Sequence, residues 1–151
     1  MATDNIALLK RFVEEVWNKG NFKVADELSS STAIFHDPIA KDLSSLDAFK
    51  GYVASLRVAF PDFHVALDDI AMSGDKVYMR WTATGTNNGS FMGMAPTNKR
   101  SVVVGMSMNR IQGGKIVETW MSYDMLGMLQ QLGIAPPMEK LSQAAAAAPM
   151  R

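Results

Sequence analysis

The chain reads as a single α+β domain in which helices come first and a curved antiparallel sheet follows. Three observations predict this. Three helical patterns fill roughly the first sixty residues, the next sixty or so divide into four strand-like runs, and 48% of the 151 residues are apolar, enough for one real core.

Ile6, Leu9, Phe12, Val13, Val16 and Trp17 recur at helical spacing behind Thr3 and Asp4, either of which can cap a first turn, and Asn18-Lys19-Gly20 stops the pattern. Asn21 can cap a shorter second helix through Val24 and Leu28. Ser29-Ser30-Ser31 then breaks the run, Thr32 to Phe35 reads as a short strand, and His36-Asp37-Pro38 makes a turn. A third helix behind Ser44 carries Leu46, Phe49, Val53, Leu56 and Phe60 on one side and ends at Pro61.

The second half changes period. Phe63 to Met72, Val77 to Thr86, Ser101 to Ile111 and Lys115 to Tyr123 are strand-like, joined by Ser73-Gly74-Asp75, a loop from Asn87 to Lys99, and Gly113-Gly114. In the last of these strands strict alternation puts Ile116, Glu118, Trp120, Ser122 and Asp124 on one side, and Val117, Thr119, Met121 and Tyr123 on the other. At Asp124 the period becomes helical, with Met125, Leu129 and Leu132 as the stripe of a short helix stopped by Gly133. The domain is therefore assigned to residues 1–135. Residues 136–151, with Pro136-Pro137 and five alanines from Ala144 to Ala148, are assigned to a loosely ordered extension.

Fifteen basic and fifteen acidic side chains cancel, so the chain carries no electrostatic footprint for nucleic acid or an anionic membrane. The absence of cysteine removes disulfides, thiolate metal sites and cysteine nucleophiles together. No run is long and apolar enough for a membrane span and the first dozen residues lack a signal-peptide core, so a cytoplasmic protein is expected. His36 and His64, the two histidines, have no metal-ligand spacing, and no phosphate-cradling glycine loop occurs. No metal and no cofactor are expected, and a cavity between helices and sheet points to a small hydrophobic ligand.

Five segments, NKGNF, FHDP, FPDFHVALDDIAMSGDKVYMRWTATGT, GSFMGMAPTNK and GGKIVETWMSYDMLGMLQQLG, together resemble the SnoaL-like polyketide cyclase (ester cyclase) family over roughly residues 5 to 135. The resemblance implies the cone-shaped α+β barrel of the nuclear-transport-factor-two-like superfamily, three N-terminal helices packed on a strongly curved sheet. It also implies a cofactor-free intramolecular aldol condensation on a carbonyl-bearing substrate. Its general acid/base aspartate, placed near the end of the final strand, falls through the pattern Glu-x-Trp-x-x-x-Asp on Asp124. Two positions depart from the family pattern: Asn87 stands where many relatives have histidine, and Asn98 where glycine is more usual.

Asp124 has two readings, a catalytic carboxylate and an N-cap for the helix that follows. Glu118 is expected to pair with Arg80 or Arg110. Asp37, in an Asp-Pro turn with His36 beside it, is a second catalytic candidate, because ketosteroid isomerases of the same superfamily carry their base aspartate in such a turn. The rest of the isomerase site is missing, since its oxyanion-binding tyrosine falls on Phe12 and its protonated acid on Ser107, so steroid isomerisation is disfavoured. Arg80 is followed on its own face by Thr82, without the water-activating acid that related epoxide hydrolases place there.

Phe12, Trp17, Trp81 and Trp120 are core aromatics that can also stack on a flat ligand. Met92 and Met94 can form a pliable lid, while Arg80, Asn87, Met106 and Met108 complete the expected substrate contacts. The expected function is acid/base catalysis on a hydrophobic carbonyl compound, and the competing reading is a binding module that leaves its ligand unchanged. An exposed sheet face rich in Val and Met suggests a homodimer.

Overall fold

The structure is a computed structural model that describes residues 2–149. The first helix, α1 (Ala2–Phe12), runs directly into a π-helical segment, Val13–Asn18. Because α1 already begins at Ala2, Asp4 lies within its first turn instead of capping it. The remaining elements are α2 (Phe22–Leu28), β1 (Ser29–Asp37), β2 (Lys41–Leu43), α3 (Leu46–Ala59), β3 (His64–Ser73), β4 (Lys76–Thr86), β5 (Arg100–Gln112), β6 (Lys115–Tyr123), α4 (Met125–Gln131) and α5 (Met138–Ala147). Ser45, not Ser44, caps α3, its side chain accepting from Ala48 N at 3.1 Å. The Asn21 side chain makes no cap bond and instead donates to Glu15 Oε2.

All six strands form one open sheet in the order β2-β1-β6-β5-β4-β3. The expected antiparallel pairing holds everywhere except between β1 and β6, which run parallel. The triple serine, read as a break, belongs to β1: Ser29 pairs with Ile116 and is buried. Strand pairing overrides the weak β preference of serine there.

One irregularity decides which side chains of β6 face inward. In β6, Arg110 of β5 pairs with Glu118 but Ile111 pairs with Ile116, so Val117 is an extra residue. The bulge puts Ile116 and Thr119 on the same buried side, which strict alternation does not allow. From Thr119 onward the pleat gives regular rungs across the concave face. Phe35, Thr119, Asn109 and Val77 stand level, as do Met121, Ser107 and Met79, and then Tyr123, Gly105 and Trp81. By the same register Asp37, one residue beyond the His36–Trp120 pair, joins the Met121–Ser107 rung.

The helices close the concave side. Phe35 and Phe49 stack at 3.9 Å between ring centroids, with Phe12 and Trp17 packed against Phe49, so the helical layer meets the sheet through aromatic faces. The π-helical end is fixed to the sheet by Asn18, whose amide receives Val65 N–H at 2.7 Å and donates to Val65 O at 3.0 Å. A second cluster of Ala59, Phe60, Phe91, Val103, Met128 and Leu132 joins the end of α3, the 87–99 loop and α4. In the extension α5 is helical and buries none of its residues, and residues 150–151 lie outside the described part. Among the described residues no helix is long and apolar enough to cross a membrane.

Candidate active site

Between helices and sheet lies a cavity lined by Phe12, Val13 and Trp17 from the first helix, Tyr52 and Leu56 from α3, and the inward rungs of β1, β4, β5 and β6. Its enclosed volume is about 100 Å³. That is below the range of roughly 300 Å³ and upward typical of pockets for drug-sized ligands, so a fused-ring ligand requires part of the wall to move. The 87–99 loop is the wall without regular structure, and it contributes Phe91 to the lining.

The one carboxylate on the lining is Asp37, only 6% exposed. It ends β1, where Pro38 turns the chain, and its Oδ1 accepts from the backbone N–H groups of Ile39 at 2.8 Å and Ala40 at 2.9 Å. Tyr123 O–H donates to the same carboxylate, 3.1 Å from Oδ1 and 3.4 Å from Oδ2. Tyr52 enters from α3 beside Tyr123 and Asp37. Burial, reinforced by the neighbouring Asp37 charge, holds the Tyr52 hydroxyl well above the usual phenol range. Burial does the same for Tyr123, helped by Tyr52 and Asp37. Both phenols therefore keep their protons at neutral pH and serve as donors.

The other catalytic candidates lie elsewhere. Asp124 is exposed, is absent from the cavity lining, and accepts from Gly127 N at 2.8 Å as the N-cap of α4. Of its two sequence readings the geometry matches the cap. His36, adjacent to Asp37 but on the opposite side of β1, stacks on Trp120 with its ring nitrogens 2.7 Å from Asp42 Oδ1 and from Glu118 Oε2. Glu118 also receives Arg110 Nη2 at 3.0 Å, the expected arginine pairing. This polar network occupies the outer face of the sheet.

Among the expected ligand contacts, Phe12, Trp17 and Trp81 line the cavity and the rest do not. Trp120 and Met108 belong to the outer face with His36, Met106 is 60% exposed, and Arg80 points outward toward Asp68 at 3.8 Å. Asn87 is buried as a brace for the loop, donating to Gly89 O and accepting from Thr97 N–H and Oγ1–H. Met92 is 61% exposed and Met94 packs on the second cluster. Of the 87–99 loop it is Phe91, and neither methionine, that lines the cavity. Asn98, where relatives more often have glycine, has φ +58°, a left-handed conformation that asparagine tolerates better than most residues.

Tyr52 and Tyr123 are the members of the site that sequence reading passed over. Tyr52 was legible: it lies three residues after Phe49 and four before Leu56, within the apolar stripe of α3. Tyr123 lay on the strand face opposite the Glu-Trp-Asp series, and the Val117 bulge and the parallel pairing with β1 bring that face to Asp37.

A family model described as SnoaL-like polyketide cyclase matches residues 7–132. The chain belongs to that family. Among solved structures it is similar to IdmH of Streptomyces antibioticus, a candidate polyketide cyclase, at 29% identity and TM-score 0.74, over 85% of this chain and 97% of IdmH. It is similar to AclR of Streptomyces galilaeus, a candidate hydroxylase, at 27% identity and TM-score 0.78, over 90% of this chain and all of AclR. A Catenulispora acidiphila protein with a ketosteroid isomerase-like fold, 16% identical with TM-score 0.72 over 85% of this chain and 93% of its own, shares the fold. No curated protein matches the chain.

Proposed function

We propose that this SnoaL-like protein is a cofactor-independent cyclase that closes a ring by intramolecular aldol chemistry, with Asp37 as the base and Tyr52 and Tyr123 as proton donors. The observation that carries the reading is a buried carboxylate hydrogen-bonded to one protonated phenol, with a second beside it, on the wall of a mainly apolar cavity.

Asp37 takes a proton from the carbon next to a carbonyl, and the negative charge passes to the enolate oxygen. The carboxyl group is then the poorer acceptor, so a tyrosine O–H is free to turn to the enolate. The enolate carbon attacks a second carbonyl of the same molecule, one C–C bond forms, and the new alkoxide recovers the proton from Asp37. No electron acceptor enters this balance. The two backbone N–H groups on Oδ1 fix the carboxylate, and the apolar walls exclude the water that would quench the enolate.

The test is deuterium incorporation into the acetyl methyl group of 2-acetylnaphthalene in D2O, followed by NMR. Asp37→Asn keeps an oxygen for the Ile39 and Ala40 N–H groups and is expected to slow exchange by about 10²–10⁴-fold while leaving ketone binding in place. Equal exchange by both proteins would remove Asp37 as the base. A binding module is the second reading, favoured by the structural work of Oδ1 in holding the Ile39–Ala40 turn, and that result would select it.

On the outer face, Val102, Val104 and Met106 are exposed side by side along β5. We propose a second copy of the chain as their cover, and light scattering of the full chain is expected to give twice the 16.5 kDa mass. A mass of one chain would exclude it.

A further inference from the structure

Several hydroxyls line the cavity, and the one at Ser107 is oriented by a neighbouring indole. Ser107 is 7% exposed and lines the cavity at the middle of β5. Its Oγ receives Trp81 Nε1–H at 2.8 Å. An indole nitrogen only donates, so Ser107 is the acceptor in that bond and its own O–H proton points elsewhere. Among the described residues no acceptor for that proton is found. The deeper polar pair on the same strand face is closed upon itself: Thr119 O–H donates to Asn109 Oδ1 at 2.9 Å, and Asn109 donates to Val77 O at 3.3 Å.

Ser107 shares a rung of the sheet with Asp37, with Met121 between them. Strands lie about 4.8 Å apart, so the two positions are separated by about 10 Å across the concave face. Gly105 explains how the indole is held in place. A Cβ there would come within 2.5 Å of the Trp81 ring and 2.8 Å of Tyr123 Cβ, so glycine lets Trp81 lie across β5 with its nitrogen at Ser107.

We infer that Ser107 is a specificity-determining residue, the hydrogen-bond donor for a second oxygen of the ligand while the reacting carbonyl lies at Asp37 and the tyrosines. This rests on the cyclase reading for the role of Asp37, and it narrows the ligand class. The cavity takes a flat aromatic skeleton with oxygen acceptors at two separated positions, and it discriminates against an analogue that has carbon at the second. Trp81 commits the serine oxygen as an acceptor and so presents its proton to the ligand.

The experiment compares 2,6-diacetylnaphthalene with 2-acetyl-6-isopropylnaphthalene, which differ at the second position alone, by tryptophan fluorescence titration of the full chain. Wild-type protein is expected to bind the diketone about fivefold more tightly than the isopropyl compound, the order expected of one hydrogen bond. Ser107→Ala removes the preference by weakening the diketone and not the isopropyl compound, and Ser107→Thr, which keeps a hydroxyl, restores it. A structural role for Ser107 would weaken both compounds alike. The inference is overturned by a wild-type protein without preference, by a preference that survives in Ser107→Ala, or by parallel losses for the two compounds. Binding selectivity is read without turnover, so a failure here is distinct from a failure of Asp37→Asn to slow exchange.

Discussion

His36 and Asp37 are consecutive in β1, yet alternation puts them on opposite faces of one sheet, in opposite chemical settings. Outside, His36, Asp42, Glu118 and Arg110 neutralise one another in a half-exposed chain of ion pairs. Inside, Asp37 has no cationic partner among the described residues; two backbone N–H groups and the Tyr123 phenol are its donors. The two faces thus differ in what holds their carboxylates: charged side chains outside, neutral donors within. The lesson is that the strand with the most conspicuous charges presents them to the face turned away from the cavity.

The contrast can be tested from both faces. The largest effect belongs to Asp37→Asn, which should lower α-proton exchange by about 10²–10⁴-fold, against no more than a small change for Glu118→Gln on the outer side. Comparable losses in both variants would erase the distinction. Next is Gly105→Ala on the inner face. Its methyl group collides with Trp81 and Tyr123, and thermal unfolding should report a cost of about 1–3 kcal/mol together with a shifted indole fluorescence. An unchanged emission spectrum would mean that Trp81 is not pinned across β5.

Asp124→Ala should cost about 1 kcal/mol as a lost helix cap and leave exchange activity intact. Loss of activity with preserved stability would restore Asp124 to the reaction. The smallest effect is a change of shape in the pH profile. Glu118, with Asp42 reinforcing it, raises His36 above its ordinary 6.5, so this contribution is complete below 6.5 and is lost as pH rises through the elevated value. His36 and Arg110 lower Glu118 below its ordinary 4.5, so that contribution is complete above 4.5 and is lost as pH falls through the depressed value. The outer network therefore contributes most between 4.5 and 6.5. Glu118→Gln should lower the melting temperature within that window and weaken its fall on either side, and a profile identical to wild type would show that the pairs add nothing to stability.

The fold was legible because its signals are local. Phe49, Val53 and Leu56 announce a helix by their spacing, and the runs around Val77–Thr86 and Ser101–Ile111 announce strands, needing no knowledge of their partners. The site was legible only in fragments. The Asp-Pro turn marked Asp37, and the aromatic residues Phe12, Trp17 and Trp81 were found as cavity walls. The face of β6 was not, because Val117 adds a residue that strict alternation cannot detect, and because Glu118 and Trp120 look chemically richer than Thr119, Met121 and Tyr123. The parallel pairing of β1 with β6, which decides that Tyr123 meets Asp37, joins segments 86 residues apart and leaves no mark in either one.

That parallel pairing also sets an order on biosynthesis. β1 is made early, but its neighbour in the sheet toward β5 is the last strand to leave the ribosome, and until β6 docks, Asp37 has neither Tyr123 nor its flanking Met121 wall. A nascent chain halted in the β5–β6 turn would hold α1 to α3, the β1–β2 pair and the three paired strands β3 to β5, yet lack the β6 wall of the cavity. The cavity is thus completed late and in one step, so any ligand that needs its β6 wall would stabilise the finished fold alone.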